Sequence, residues 1–321
     1  MKFLKWFGFM LSVMAIWLAL NIIATTQGWF ATALAPANDD ATFVMTIQKS
    51  LQEKSNGNVA LAIIEQGQIQ HEYALSKGLP VNGDSVFGVA SVGKWVAAVG
   101  VMTLVEQGKL ALDEPVSAYL TRWQLPESEF GNDGVTVRRL LSHTAGITDG
   151  LGHNGFPSRA QIQPLTDHLS QAKDADDGVD GRVIVGLQPG SQFKYSGGSY
   201  NLLQLIVEEV SGMSFEQYMR KAVFEPLEMH QTTYRHDDVA NLVQYFDEKG
   251  NERSYPFYTS LAATGLYSTA NDLHKFTTLF YDNAQNSSSK AQVLTQETLK
   301  EMRMSQAASM GIDIWGLGTM L

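Results

Sequence analysis

The sequence predicts an α+β protein in which strands bracket a long helical stretch. Two apolar or alternating runs, Val59 to Gln66 and Gln68 to Leu75, meet at Gly67 and predict an antiparallel hairpin. A nearly uninterrupted apolar run from Trp95 to Val105 predicts a buried helix. The final run, Ile312 to Leu321, is strand-like. Strands, then helices, then a strand suit an α+β arrangement.

Length and charge set outer limits on the function. The chain has 321 residues, of which 44% are hydrophobic, and can bury a full core. The formal net charge is -10 and no basic block stands out, which argues against binding to nucleic acid. The sequence contains no cysteine, so disulfides and thiolate metal sites are excluded.

The first 40 residues predict a signal peptide or an N-terminal membrane anchor, followed by a tether. Lys2 and Lys5 precede an uncharged stretch from Trp6 to about Ala24, and no charged residue follows until Asp39. This apolar body is longer than the usual signal core of about 7–15 residues and close to the roughly 20 that span a bilayer. Its length favours an uncleaved anchor, with the rest of the chain exported to the periplasm or another extracytoplasmic space. Small residues around Ala31 leave signal cleavage as the alternative.

The other elements follow from periodicity and capping residues. Helices are predicted over residues 41–54, 112–125, 135–141, 165–172, 199–210, 269–280 and 295–302. Ser214 and Gln217 have the spacing of a capping box, and Thr269 precedes Asp272 in the same way. A long Gly- and Asp-rich loop over 144–188 is expected to shape access to a site, because loops of that length are often functional.

The most informative motif is the S-x-x-K tetrad at the start of the apolar helix. Residues three apart share a helix face, so Ser91 and Lys94 are expected to lie side by side. A serine hydroxyl needs a base to take its proton, and a lysine can be that base once burial lowers its pKa from about 10.4. The same spacing also occurs at Ser170, Ser191 and Ser287, but only Ser91 opens a long apolar helix.

Further segments match a known family in the order in which that family carries them. They are LLSHTAG at 140–146, PGSQFKYSGGSY at 189–200, and residues 262–276. Together with the tetrad, they resemble the serine β-lactamase and penicillin-binding-protein superfamily, most of all the class C β-lactamases and related esterases and D-Ala peptidases. The resemblance spans roughly Val59 to Gly318.

The resemblance implies a β-lactamase/DD-peptidase-like fold. In that fold a helical domain is inserted between the first strands and the remaining strands of an antiparallel sheet, with the active site at the seam. Residues 1–40 would then form the leader and tether, and residues 41–321 the hydrolase domain. Within that domain, 41–90 and 270–321 would form the α/β part and 91–269 the mostly helical part.

The same resemblance implies three catalytic residues. Ser91 would be the nucleophile, and Lys94 would hold or accept its proton. Tyr195 falls on the tyrosine of the family's Tyr-x-Asn block and would act as general base or proton relay, although a phenol titrates at about 10 unless a cation lies nearby. The backbone N–H of Ser91 would be one oxyanion donor. Gly197 stands where the family has Asn, which removes a donor for a substrate amide and makes an ester or small-peptide substrate more credible than a β-lactam.

The end of the sequence departs from the family pattern. After WGLG at 315–318 the chain stops within three residues, where the family continues to a Lys-Thr-Gly or His-Thr-Gly strand. The similar triplet at 263–265 has no cation and matches an earlier block. We therefore expect a C-terminally truncated family member, without the last strands and the C-terminal helix. Because the absent strand would supply the second oxyanion donor, and losing one costs about 10²–10³ in rate, we expect weak turnover or none.

These residues fit two main functions. The first is an exported serine hydrolase that forms an acyl-enzyme with a small-molecule acyl substrate, which is a β-lactam, a D-Ala peptide or an ester. The second is a membrane-tethered penicillin-binding pseudoenzyme or receptor with little turnover. A non-functional gene fragment is a third alternative.

No cofactor and no metal site is predicted. The seven histidines show no H-E-x-x-H or other ligand spacing, and the acidic run Asp174 to Asp180 does not match an EF-hand. The lack of a G-x-S-x-G elbow argues against an α/β-hydrolase. His143 is interpreted as a structural hydrogen-bonding residue rather than a triad base. For Ser91 and Lys94, the structural alternative is a helix N-cap and a lysine that extends to solvent.

Overall fold

The computed structural model describes residues 39–150, 152–281 and 293–321, together with positions 6, 10, 14, 16–22, 24, 25 and 34–36. The chain divides into two compact units, Met1–Ser55 and Asn56–Leu321. Much of the predicted signal or anchor, Trp6 to Ala24, and of the tether after it lies outside the described residues. Among those described, no helix has the length and apolar character that a membrane crossing requires.

The first unit contains helix α1 (Asp40–Lys54), close to its predicted bounds. Asp39 is the N-cap, because its carboxylate accepts a hydrogen bond from the backbone N–H of Thr42 at 2.9 Å.

The second unit begins with the predicted hairpin. Strands β1 (Val59–Glu65) and β2 (Gln68–Leu75) pair antiparallel, with a register shift between Ile63 and Ile64. The turn residues Gln66 and Gly67 have φ angles of 50° and 78°. A two-residue turn with both φ angles positive matches the twist of the flanking strands, which is why glycine suits this position.

Two more antiparallel pairs form in the described part of the chain, rather than one continuous sheet. Strand β3 (Phe87–Gly88) pairs with β6 (Tyr267–Ser268), and β4 (Tyr245–Phe246) pairs with β5 (Glu252–Arg253). The β3–β6 pair brackets most of the helical stretch, as expected for an inserted helical part. The α+β class is confirmed.

Helices make up most of the second unit. They are α2 (Val92–Glu106), α3 (Val137–Leu141), α4 (Leu165–Ser170), α5 (Gly197–Ser211), α6 (Phe215–Met219), α7 (Ala270–Thr277) and α8 (Gln296–Met302). Single 3-10 turns lie at Val116–Ala118, Arg159–Gln161, His236–Asp238, Thr278–Phe280 and Ala308–Met310, and a π-helical turn, Arg220–Phe224, follows α6. The capping box of Ser214 and Gln217 is present, and Thr269 caps α7.

The helix predicted over 112–125 is wrong. All of these residues are described, and they form only the 3-10 turn Val116–Ala118. Pro115, immediately before that turn, has an extended ψ of 130°. A proline inside a helix removes a backbone hydrogen bond and clashes with the preceding turn, so the periodic pattern around it could not become helical.

The strand predicted over Ile312 to Leu321 is also wrong. Within the described segment 293–321, Trp315 bridges only to Met320 of the same run, so the chain turns back on itself. Gly316 and Gly318 permit this turn to pack closely. A Cβ on Gly316 would lie 2.0 Å from the Met302 carbonyl oxygen, and Gly318 has a φ of 71°.

The core lies around α2 and α5. Residues Val96 to Leu104 of α2 and Tyr200 to Val207 of α5 are almost wholly buried. The Thr103 and Tyr218 hydroxyls share a 2.5 Å hydrogen bond that ties α2 to α6. Full burial of one large aliphatic side chain contributes about 1.5–3 kcal/mol to stability, so this packing stabilises the position of α2 in the core.

Candidate active site

The S-x-x-K tetrad lies at the N-terminal end of α2. Ser91 is the exposed N-cap residue, and Lys94 is only 3% exposed. The Lys94 ammonium donates to Ser91 Oγ at 3.2 Å and to the carbonyl oxygen of Ala263 at 2.6 Å. Within the described residues Ser91 makes no side-chain capping hydrogen bond. The structural alternative required a serine that caps the helix and a lysine that extends to solvent. The structure has a serine without a capping hydrogen bond and a buried lysine instead.

Lys94 has the electrostatic setting of a base. Burial lowers its pKa from the ordinary lysine value to about 8, because the apolar surroundings disfavour the charged amine, while Asp149 opposes that shift. With such a pKa, roughly a tenth of Lys94 is neutral at about pH 7 and has a lone pair that can take a proton.

The backbone immediately before Ser91 is strained. Ala90 has a φ of 45°, a value that residues other than glycine adopt rarely and at a cost of about 1–3 kcal/mol. In the described part of the chain no group accepts a hydrogen bond from the Ser91 backbone N–H. That donor is therefore available to an oxyanion, as the resemblance implied.

Tyr195 lies next to the buried lysine. The centre of its ring is 5.1 Å from Lys94 Nζ, and the ring of Tyr200 is 5.7 Å away. The structure thus brings Tyr195 beside Lys94, which itself donates to Ser91, although Tyr195 comes from a distant segment. Its hydroxyl forms no hydrogen bond with any described residue, so the phenol is open to a bound substrate.

His143 packs against Tyr195 and makes no hydrogen bond to Ser91 among the described residues. Its ring centre is 4.3 Å from that of Tyr195 and 5.0 Å from that of Trp315, and its Nδ1 accepts from the backbone N–H of Ser196 at 3.2 Å. Burial, and next the charge on Lys94, lower the pKa of His143 to about 3. A neutral imidazole inside an aromatic cluster agrees with the structural role that the sequence indicated.

Asp149 is a site residue that sequence analysis missed. Its buried carboxylate accepts hydrogen bonds from Ser196 Oγ at 2.5 Å and from the backbone N–H of Gly198 at 2.6 Å. Burial raises the pKa of Asp149, while these hydrogen bonds and Lys94 act in the opposite direction. A Cβ on Gly198 would lie 2.6 Å from Asp149 Cγ, so glycine lets the helix approach the carboxylate. Asp149 therefore fixes the start of α5, directly after Tyr195.

A cleft of about 600 Å³ opens next to the segment that carries Ser91, although Ser91, Lys94 and Tyr195 are not among its described lining residues. Ala90, the neighbour of Ser91, and Thr264, the neighbour of the carbonyl that binds Lys94, both line it. Six of its lining residues are aromatic: Phe87, Tyr245, Phe246, Tyr255, Tyr258 and Tyr267. Among the described lining residues there is no Lys, Arg, Asp or Glu. A cleft of this kind suits a neutral, partly apolar ligand.

A second polar cluster meets the cleft at His153, which is one of its lining residues. It consists of His153, His168 and Asp174, whose ligand atoms all lie within 4.8 Å of one another. The sequence predicted no metal, because these three residues have no recognisable spacing. They are nevertheless the residues that could hold one in the described part of the chain.

Comparison with known proteins points to one family. The family model Beta-lactamase matches residues 43–321. Penicillin-binding protein 4* of Bacillus subtilis (strain 168) is 30% identical over 198 residues, which are 59% of this chain and 40% of that protein. Penicillin-binding protein 4 of Amycolatopsis lactamdurans is 33% identical over 178 residues, or 54% of this chain and 43% of that protein. The chain thus spans about two fifths of the length of these relatives.

The fold is similar to solved structures as well. The octameric penicillin-binding protein homologue from Pyrococcus abyssi matches with a TM-score of 0.67 and 25% identity, over 87% of this chain and 64% of that one. The match covers most of this chain, so the similarity concerns an arrangement of strands and helices rather than one motif.

Proposed function

This chain belongs to the Beta-lactamase family, as its motifs predicted, and from that premise we propose that it is a serine hydrolase whose nucleophile is Ser91. One observation carries the proposal: Ser91 Oγ lies 3.2 Å from a lysine amine that is buried and has a pKa of about 8. A serine nucleophile needs a neighbouring base that is neutral near the working pH, and the short distance and lowered pKa of Lys94 support it in that role.

In the proposed reaction, neutral Lys94 takes the proton of Ser91 as Oγ attacks the acyl carbonyl carbon. The carbonyl oxygen becomes an oxyanion next to the free backbone N–H of Ser91. As the tetrahedral centre collapses, the leaving group receives a proton from Lys94, directly or through the Tyr195 hydroxyl, and the acyl group stays on Ser91. Water then attacks the carbonyl carbon of this ester as its proton passes to Lys94, directly or through Tyr195. The bond between the acyl carbon and Ser91 Oγ breaks, Oγ takes the proton back from Lys94, and a free carboxylic acid leaves.

We propose an uncharged ester as the substrate class. β-Lactams and D-Ala peptides carry a carboxylate, whereas the described lining of the cleft offers no Lys or Arg to pair with one. His153 adds no positive charge, because burial, and next His168, lower its pKa to about 4. Gly197 also lacks the amide that could bind a substrate amide group. Aromatic walls suit the apolar part of an ester.

The test uses the full chain with p-nitrophenyl butyrate, nitrocefin and a D-Ala-D-Ala peptide. We expect ester hydrolysis to exceed the other two activities and to disappear in Ser91→Ala. Ser191→Ala is the matched control, because Ser191 also begins an S-x-x-K tetrad but is exposed on a turn. Equal loss in both variants, or full activity in Ser91→Ala, would overturn the assignment.

A penicillin-binding pseudoenzyme is the second candidate. The observation in its favour is that the Tyr195 hydroxyl bonds neither Ser91 nor Lys94 among the described contacts, so the proton relay is not preformed. A fluorescent penicillin that labels Ser91 and is not released would support this candidate. A burst of product followed by steady turnover would support the hydrolase.

We further propose that the chain works outside the cytoplasm. The support is the N-terminal sequence, in which Lys2 and Lys5 precede an uncharged apolar stretch. Fusion of alkaline phosphatase to the C-terminus should give an active reporter, since that enzyme requires export. A reporter that is active only when residues 1–40 are replaced by a known signal would refute the proposal.

A further inference from the structure

We propose that His153, His168 and Asp174 bind one zinc ion, which fastens the loop that borders the cleft. This site takes no part in the proposed serine chemistry and goes beyond it. Its three side chains come from a loop, from α4, and from the loop that follows α4.

The geometry brings three donor atoms to one buried spot. His168 Nε2 lies 2.6 Å from Asp174 Oδ1, and His153 Nδ1 lies 3.8 Å from the same oxygen. The side chains of His153, His168 and Asp174 are 4%, 0% and 1% exposed. Zinc bonds of about 2.0–2.2 Å in a tetrahedral site place donor atoms roughly 3.4 Å apart, so movements of about 1 Å bring these atoms into range.

Unpaired buried atoms mark the same spot. His153 Nδ1 and Asn201 Oδ1 are both buried and have no hydrogen-bond partner among the described residues. Buried polar groups nearly always have a partner, and the exceptions often indicate an ion or water that belongs there. The unpaired nitrogen of His153 is the one that faces Asp174, where a cation would give it a partner.

Asn201 lies where it can fix which ring nitrogen of His153 and of His168 carries the proton. Its amide nitrogen lies 3.1 Å from His153 Nε2 and 3.4 Å from His168 Nδ1, on the far side of each ring from Asp174. If the amide turns over, its oxygen accepts N–H bonds from both rings, and the nitrogens that face Asp174 are left with lone pairs. Such outer hydrogen bonds are what fixes the tautomer of a metal-bound histidine.

The donor set favours zinc over calcium and magnesium. Two imidazoles and one carboxylate are the protein ligands of a common class of zinc site, in which water completes the coordination. Calcium and magnesium prefer oxygen ligands only, so they fit this cluster poorly.

The position of the cluster explains what zinc would do. Asp174 already binds the neighbouring loop, because its carboxylate accepts from the backbone N–H of Gly155 at 3.2 Å and its carbonyl accepts from that of Asn154 at 2.7 Å. His153 and Asn154 line the cleft. Zinc would therefore join this wall of the cleft to α4, and removal of the metal should loosen it.

Zinc chloride is titrated into the full chain after treatment with a chelator. The heat of binding and the thermal unfolding of the protein are measured. We expect one equivalent to bind and to raise the melting temperature. Asp174→Asn and His153→Gln should each weaken affinity by about tenfold or more, since even outer-sphere changes cost about 10–100-fold. His71→Asn and His230→Asn, at exposed histidines, should leave it unchanged.

Circular dichroism checks that each variant folds. If Asp174→Asn does not fold, His153→Gln at the edge of the cleft decides the matter. Absence of saturable binding, or binding that survives both ligand variants but is lost with His71 or His230, would overturn the proposal. The titration works equally well on Ser91→Ala, so this result and that of the hydrolase test are independent.

Discussion

Two polar clusters of the second unit differ in burial and in charge. In the proposed catalytic cluster, Ser91, Lys94 and Tyr195, a lysine amine is buried against an apolar helix while the serine beside it is exposed. In the histidine cluster, His153, His168 and Asp174, every side chain is buried and two imidazoles share one carboxylate. Burial of a lone cation favours loss of its proton, whereas a buried carboxylate between two rings favours gain of a cation. The first arrangement suits proton transfer, and the second suits binding of a metal ion.

The largest expected effect separates the clusters completely. Ser91→Ala should lower kcat/KM for the best ester by at least about 10⁴-fold, because loss of the nucleophile leaves only binding and oxyanion stabilisation. Zinc affinity should not change. Both quantities are measured on the same protein, kcat/KM by kinetics and zinc affinity by calorimetry. A fall of both in Ser91→Ala would contradict the comparison.

The next effect concerns Tyr195. Tyr195→Phe keeps the ring beside Lys94 and His143 but removes the hydroxyl, so we expect kcat to fall by about 10²–10³-fold, as for loss of general acid–base help. Tyr200→Phe is the control, since its hydroxyl bonds the Leu141 carbonyl inside the core. If steady-state kinetics gave similar activity for Tyr195→Phe and Tyr200→Phe, Tyr195 would not be part of the proton relay.

A smaller effect is the pH dependence that Lys94 imposes. Because its pKa is lowered to about 8, the base form increases as pH rises, and kcat/KM should increase about tenfold between roughly pH 7 and pH 9. A profile that is flat over this range, or one that rises only above about pH 10, would show that Lys94 is not the base.

The smallest effect is expected from Asp149→Asn. The carboxylate of Asp149 raises the pKa of Lys94, so its neutralisation should move the rising limb of the profile to lower pH. The change in kcat/KM at neutral pH should stay below about tenfold. A shift to higher pH would show that Asp149 acts through the position of α5 rather than through its charge.

Much of the catalytic cluster could be predicted because its chemistry is local. Ser91 and Lys94 lie one helical turn apart, and the apolar run after them predicts both the helix and the burial of the lysine. Asp149 has no such signal, since only the folded chain brings it to the start of α5. The sequence also gives no signal for the Ala263 carbonyl that accepts from Lys94, because every residue carries a carbonyl. His153, His168 and Asp174 have no helical or motif spacing for the same reason.

The fold shows the same division. The hairpin of β1 and β2, the start of α2 and the capping box at Ser214 follow from nearby residues and were predicted. The segments 112–125 and 312–321 were predicted wrongly, because periodicity there competes with Pro115 and with close packing at Gly316. Strand-like composition makes a strand only where a partner strand lies beside it.

The most direct test of the account is the site of acylation. The chain is mixed with p-nitrophenyl butyrate, quenched in acid within milliseconds, digested with trypsin and analysed by mass spectrometry. Cleavage after Lys77 and Lys94 isolates a peptide that contains Ser85 and Ser91, and fragmentation distinguishes the two serines. The account predicts a butyryl group on Ser91, formed faster as the pH rises through about 8. A butyryl group on any other residue, or hydrolysis with no acylated Ser91 at any time point, would contradict it.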